Sequence, residues 1–294
     1  MAGRTGRSAW LALIRILPRS GLSHAVGRLA GVGLPRAWRA PIWRVFAGLV
    51  GADLDEVRDP LDDFASLQAF FTRALRPGAR PIQGGPDVFV SPCDGAWGEA
   101  GRVEAGRLVQ VKGRTYPLAD LLGDASLAPH FEGGAFATLY LAPKDYHRFH
   151  ASCDVRIGRV VHVPGALWPV NRIGVECVAD LFAVNERICA HMDLAGRSEP
   201  GPPEIVMVAV GATLVGRVRL AFDALTTHRR GAVRSERRYP EGIPFARGEE
   251  WGRFEFGSTI VFVAAPGVLD LDVRPPGTPV RLGEPIGRLR DARA

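Results

Sequence analysis

The sequence predicts an α+β fold, with N-terminal helices followed by a largely antiparallel, β-sandwich-like domain, and three observations carry the prediction. Apolar residues recur at helical spacing only near the N-terminus. From Asp87 onward, short apolar runs alternate with Gly and Pro, the pattern of strands joined by tight turns. No long alternation of strand-like and helix-like segments is present, which argues against a doubly wound sheet. Residues 1–75 are therefore read as a helical region and 76–294 as the β-rich domain.

Residues 8–17 place Trp10, Leu11, Leu13, Ile14 and Leu17 on one helical face, ended by Pro18. A second helix is predicted from Ala37 to Leu49, with Trp38, Ile42, Trp43, Val45, Phe46 and Leu49 interleaved by Arg39 and Arg44. Short helices rich in Trp, Leu and Arg suit a membrane interface, and the same residues could instead pack on the protein. A third helix is predicted over Leu67–Leu75, stopped by Arg76-Pro77-Gly78. The predicted strands include Val88–Val90, Leu108–Val111, Phe136–Leu141, Ile205–Val210, Thr259–Ala264 and Leu269–Val273. One internal echo stands out: Gly248-Glu249-Glu250-Trp251-Gly252-Arg253-Phe254 resembles Gly283-Glu284-Pro285-Ile286-Gly287-Arg288-Leu289. Each reads as a Gly-anchored turn entering a strand, so the C-terminal segment should pair closely with earlier strands.

The chain of 294 residues carries a net charge of +6, nearly all of its positive charge from arginine. That balance suits a polyanionic partner, and by itself leaves nucleic acid and anionic lipid both open. No apolar run approaches a membrane span, and the basic N-terminus lacks a usable signal sequence. The four cysteines (Cys93, Cys153, Cys177 and Cys189) show no metal-binding spacing and read as thiols of a reducing compartment.

Three segments carry chemistry. Ser91-Pro92-Cys93-Asp94-Gly95 is a turn with one carboxylate; Lys144-Asp145-Tyr146-His147-Arg148-Phe149-His150 follows a strand; Phe256-Gly257-Ser258-Thr259 precedes one. Each is commonplace alone, and together they supply a carboxylate, an imidazole and a hydroxyl. The two histidines have neither an HExxH pattern nor a cysteine pair beside them, so no metal is expected. A GxSxG elbow is absent, which argues against an ordinary α/β-hydrolase. Ser258 follows Gly257, whose carbonyl is sterically open to the neighbouring hydroxyl, a geometry that favours an intramolecular acyl shift.

These blocks resemble the bacterial, pyruvoyl-dependent, self-processing phosphatidylserine decarboxylase family. The resemblance runs through FFTRALRPGARPI (70–82), SPCDG (91–95), YLAPKDYHRFH (140–150), VNRIGVECVADLFAVNER (170–187), VGATLVG (210–216) and GEEWGRFEFGST (248–259), in matching order and spacing. Phe256 stands where the family has Leu, and Cys93 where Ala is common; neither departure removes a functional group. The resemblance implies that Asp94 orients His150, that His150 takes the proton of Ser258, and that the chain cuts itself between Gly257 and Ser258. The products would be a β chain, 1–257, and an α chain, 258–294, whose first residue becomes a covalent pyruvoyl group that takes the substrate amine. His147 is implied in handling the head group and proton, with a packing histidine as the alternative; Tyr146 and Arg148 lie nearby as candidates for phosphate contact.

The same resemblance implies decarboxylation of phosphatidylserine to phosphatidylethanolamine at an anionic membrane surface, by a peripheral protein on the cytoplasmic face. Its α and β chains would stay together as a heterodimer, itself paired into a homodimer. A decarboxylase of another serine-bearing lipid, or an uncleaved lipid-binding module, are the alternatives. No RNA-binding signature is present, and no nucleic acid is expected as a partner.

Overall fold

The computed structural model describes residues 28–111, 113–196, 201–213, 217–228, 231–255 and 259–290. The helix predicted at 8–17, and the residues Phe256, Gly257 and Ser258, lie outside the described residues.

The second predicted helix is present as α1 (Arg36–Val50). It ends at Gly51, whose left-handed backbone (φ 80°) returns an N–H to the Ala47 carbonyl. Trp43 and Ala47 are its buried face. The Trp43 ring stacks on Phe70 at 5.4 Å, and its Nε1–H donates to the Phe64 carbonyl at 2.9 Å. With Val57, these residues form a small core separate from the main one.

The third helix, α2 (Leu67–Phe71), is shorter than predicted. Ser66 caps its start by accepting the Ala69 N–H. Its end comes early because the chain pairs with the 56–58 segment: Arg58 N–H donates to the Ala74 carbonyl, and Arg76 N–H to that of Glu56. Residues 72–75 thus trade helical bonds for cross-chain ones, and Leu75 bridges Val57.

The β-rich part contains β1 (Val88–Val90), β2 (Gly95–Arg102), β3 (Arg107–Val111), β4 (Arg114–Pro117), β5 (Ala135–Tyr140), β6 (Arg148–His150), β7 (Val155–Val163) and β8 (Arg187–Leu194). It continues with β9 (Ile205–Val210), β10 (Val218–Leu220), β11 (Ser235–Phe245), β12 (Glu250–Phe254), β13 (Thr259–Ala264), β14 (Leu269–Leu271), β15 (Pro279–Val280) and β16 (Pro285–Leu289). The α+β prediction holds, and these strands pair antiparallel throughout. Eight of them form one sheet in the order β11-β7-β8-β9-β13-β5-β2-β15. Two three-stranded sheets, β1-β16-β14 and β10-β12-β6, accompany it. Phe89 of β1 meets Phe262 of β13 at 5.3 Å, so the first small sheet lies against the large one.

β13 matches its predicted bounds and sits inside the large sheet, paired with β5 on one side and β9 on the other. All six of its residues are buried, which explains why the run Thr-Ile-Val-Phe-Val-Ala shows no polar alternation. The strand predicted at 269–273 ends at Leu271.

The two echoed turns have a common grip. Gly248 and Gly283 both adopt left-handed backbone, at φ 84° and 85°. A Cβ on Gly248 would lie 2.6 Å from the Ile82 side chain, and one on Gly283 would lie 2.5 Å from the Pro81 carbonyl and 3.1 Å from Ile82. The repeated turns therefore close on the same dipeptide, and each leads into a strand, β12 and β16.

Trp43→Ala should cost about 3–5 kcal/mol in the small N-terminal core by cavity formation. Limited proteolysis should then cut within residues 36–50 while the β-rich part stays protected; an unchanged digestion pattern would contradict the packing described.

Candidate active site

The Asp94 turn is built by its backbone. Ser91 Oγ donates to the Cys93 carbonyl at 2.7 Å, Ser91 N–H donates to Glu284, and Gly283 N–H donates back to Ser91. Asp94 Oδ1 accepts from Leu282 N–H at 2.9 Å and from Arg80 Nε at 2.8 Å; Oδ2 accepts from Arg80 Nη2 at 2.6 Å. The other edge of the Arg80 guanidinium donates to both oxygens of Glu56, at 2.8 and 2.7 Å. Gly95 is required here because a Cβ would sit 2.4 Å from the Tyr140 carbonyl oxygen. The turn therefore lies directly on the backbone of Tyr140, the register partner of Thr259.

His150 ends β6, and its N–H donates to the Pro92 carbonyl at 2.8 Å, joining the histidine strand to the Asp94 turn. Its ring Nδ1 lies 2.9 Å from the Gly248 carbonyl, and its Nε2 lies 3.3 Å from the Tyr146 hydroxyl. A carbonyl can only accept, so Nδ1 carries the hydrogen and Nε2 keeps its lone pair. Burial holds this imidazole below its ordinary pKa, opposed by the Gly248 hydrogen bond and by the charges of Glu250 and, last, Asp94, with Arg148 pressing it lower.

The expected orientation of His150 by Asp94 does not rest on a direct hydrogen bond between the two side chains among the described residues. Among the described residues the Asp94 carboxylate is taken up by Arg80 and Leu282, and the His150 ring is oriented by Gly248. The turns divide the work: Gly248 supplies the carbonyl for His150, and Leu282, just before the turn at Gly283, supplies the N–H for Asp94.

His147 is fully buried, with Phe71 at 4.1 Å between ring centroids. Its Nδ1 donates to the Asp145 carbonyl at 2.8 Å, which again leaves the lone pair on Nε2, and that atom has no partner. Desolvation lowers its pKa to about 3, so the ring is neutral at ordinary pH. A neutral imidazole cannot donate from Nε2 until it has first taken a proton there. The His147 carbonyl accepts from Phe254 N–H at 2.8 Å. The described chain thus stops at Glu255 just past His147 and resumes at Thr259 beside Tyr140, bracketing the undescribed Gly257 and Ser258.

A cleft of about 430 Å³ opens next to this bracket, and Asp94, Tyr140, Asp145 and Tyr146 line it with the cationic Arg73, Arg80, Lys144 and Arg281. Tyr146 connects the cleft to His150 behind it. Arg148, a nearby candidate for phosphate contact, is not part of the lining; its guanidinium donates to the Thr72 carbonyl and to Glu250. Residues 70–82 were marked as a block, yet Arg73 and Arg80 went unassigned. The available signal was two arginines seven positions apart flanking an apolar and Pro-rich stretch. All four cysteines are free thiols, and among the described residues no cluster of His, Cys, Asp or Glu is placed to hold a metal ion.

Residues 67–288 match the phosphatidylserine decarboxylase family. The phosphatidylserine decarboxylase proenzyme of Anaeromyxobacter sp. (strain K) is 47% identical over 287 residues, covering 95% of this chain and 97% of the relative. The proenzymes of Myxococcus xanthus (strain DK1622) and Azoarcus sp. (strain BH72) are 38% and 41% identical, over 95% and 93% of this chain and 97% and 93% of the relatives. The chain belongs to the phosphatidylserine decarboxylase family and is a decarboxylase.

The buried neutral His147 predicts an acid sensitivity. Its folded pKa of about 3 lies below the ordinary 6.5, so its stabilisation is present above pH 6.5 and is lost as pH falls toward 3. In that window each such group removes about 1.4 kcal/mol per pH unit. Urea titrations from pH 7 to 4 should show a shallower loss for His147→Leu than for the parent chain. His191, buried with pKa near 4, adds a parallel contribution in both proteins.

Proposed function

We propose that this chain is a proenzyme that cuts itself between Gly257 and Ser258 and then decarboxylates phosphatidylserine to phosphatidylethanolamine at a membrane surface. The observation that carries the proposal is the bracket itself. β12 ends beside the buried His147 and β13 begins at Thr259 on Tyr140, beside the Asp94 turn and a cleft lined by four cations and four carboxylates.

His150 is suited to be the base for self-cleavage. With Nδ1–H fixed on Gly248, Nε2 is free to take the Ser258 hydroxyl proton once the Tyr146 hydroxyl moves aside. The serine oxygen then attacks the Gly257 carbonyl, the proton passes to the departing Ser258 nitrogen, and an ester replaces the amide. Loss of the Ser258 α-proton expels the Gly257 carboxylate, and tautomerisation and hydrolysis of the dehydroalanine release ammonia and leave the pyruvoyl group. Asp94, held rigid by Arg80, contributes a fixed negative charge that favours the protonated imidazole during transfer.

The residues present fit a pyruvoyl group at position 258. His147 Nε2 is a buried lone pair without a partner, set against the Phe71 ring and away from solvent. That group supplies a carbonyl electron sink for loss of carbon dioxide from an amine-bearing carboxylate. His147, neutral in the resting protein, is suited to take at Nε2 a proton given up by the substrate ammonium and to deliver it to the substrate carbon. Tyr140 and the Asp94 turn wall the site on the side of the cleft.

The 258–294 segment is suited to stay bound after the cut. β13 is paired on both edges, β15 pairs with β2, and β16 pairs with β1. Leu282 and Arg281 add contacts to Asp94 and Glu56. A heterodimer of α and β chains, doubled into a homodimer, is the assembly this reading expects.

Membrane contact is assigned to α1. Trp38, Ile42, Val45 and Leu49 recur at helical spacing and are exposed, Leu49 by 81%, while Trp43 and Ala47 on the other side are buried. No described helix is long and apolar enough to cross a bilayer. An apolar stripe with Arg39 and Arg44 beside it suits peripheral docking on an anionic leaflet, on the cytoplasmic side.

Denaturing mass spectrometry should find two chains, 1–257 and 258–294, the smaller with a blocked, amine-reactive N-terminus. Ser258→Ala should remain whole, and His150→Ala should cut slowly or not at all. One intact parent chain without a reactive carbonyl would overturn the reading. Separately, a Trp38→Glu, Leu49→Glu double variant should bind anionic vesicles at least about tenfold more weakly, given roughly 1.5–3 kcal/mol per buried side chain. Equal vesicle binding would remove α1 from the membrane face.

A further inference from the structure

Arg73 follows α2 and is only 4% exposed, yet it lines the cleft. Its Nη2 donates to the Lys144 carbonyl at 2.8 Å and the Asp145 carbonyl at 3.4 Å, and its guanidinium carbon lies 5.4 Å from the Phe70 ring centre. The head is therefore fixed on three sides, and among the described residues its Nε–H has no partner. The other buried arginines differ. Arg80 holds two carboxylates, Arg187 donates to four backbone carbonyls, and Arg159, whose Nε is also unmet, carries Asp124 and Glu236 on its terminal nitrogens. Among the described residues no carboxylate hydrogen-bonds Arg73, although Asp94, Asp145 and Glu56 lie near enough to favour its charge. A buried cation with an unmet donor beside a cleft is costly unless an anion completes it.

Resting on the decarboxylase reading, we infer that Arg73, with the exposed Lys144 beside it, anchors the phosphodiester of the substrate head group. The head group offers two anions, and the chemistry separates them. Decarboxylation disperses the charge of the carboxylate, so a cation fixed there would stabilise the ground state more than the transition state. The phosphodiester keeps its charge throughout, and gripping it fixes the head group without opposing the reaction.

The test is calorimetric binding of two soluble probes to the full chain, which needs no turnover. Glycerophosphoethanolamine carries the phosphodiester and no carboxylate; free serine carries the carboxylate and no phosphate. Arg73→Gln should weaken glycerophosphoethanolamine at least about tenfold, the worth of a charge-assisted hydrogen bond, and leave serine within about twofold. The KM for short-chain phosphatidylserine should rise in step. Weakening of serine instead would make Arg73 a carboxylate holder and overturn the inference, as would no change for either probe or a parent chain that binds neither. If Arg73→Gln does not fold, Lys144→Gln decides: selective weakening of glycerophosphoethanolamine supports the anchor, and equal affinity overturns it. A parent chain that binds the probe but never decarboxylates would instead sink the functional reading and leave this one standing.

Discussion

The structure around the site depends on one buried cation. Arg80 and its partner Asp94 are each only 8% exposed at the side chain, and a charge so far from water is tolerable only when fully paired. The pairing draws in parts of the chain that are far apart in sequence. Glu56 comes from the segment after α1, Asp94 from the turn after β1, and Arg281 reaches Glu56 from the segment before β16 at 3.2 Å. Each leg fixes another. With Arg80 in place, the Asp94 turn can rest on Tyr140, and Tyr140 can hold Thr259 in register. The helical region and the C-terminal segment are thus tied through a single guanidinium fork.

Two histidines three residues apart are set in different surroundings. Both rings donate through Nδ1 to a backbone carbonyl, and both keep a lone pair on Nε2. His150 faces a hydroxyl, and Glu250 and, less, Asp94 add favourable charge. His147 faces Phe71 and has no favourable charge among its perturbers except its own hydrogen bond, while Arg73 presses its pKa lower. One ring is therefore the readier base, and the other the more protected from solvent. Backbone carbonyls do the orienting because a carbonyl cannot titrate, so the tautomers persist as pH changes.

Most of the fold was legible from local pattern. The bounds of β1, β9 and β13 follow from apolar runs between turn residues, and α1 from its spacing. The echo of Gly248 and Gly283 was also legible, because a left-handed turn leaves a glycine in the sequence. What was not legible was long-range choice. The early end of α2 comes from bonds to residues 56–58, which no local pattern announces. The pairing of Asp94 with Arg80 was not legible for the same reason: the two lie fourteen residues apart and meet only through the fold. Arg73 was hidden because an arginine in a basic protein carries no local mark of burial.

The position of β13 has a consequence for the life of the molecule. Chain ends normally lie at the rim of a domain, where they can fray or be exchanged. A break just ahead of Thr259 would place a terminus against the interior of an eight-stranded sheet, on a strand buried along its whole length and paired on both edges. A reactive group made there could not be unloaded and reloaded as a dissociable cofactor is, because releasing it means pulling out the middle of the sheet. Each molecule would carry the single group it made from itself. Chemical damage to that group would retire the whole protein, and renewal of activity would have to come from synthesis of a new chain.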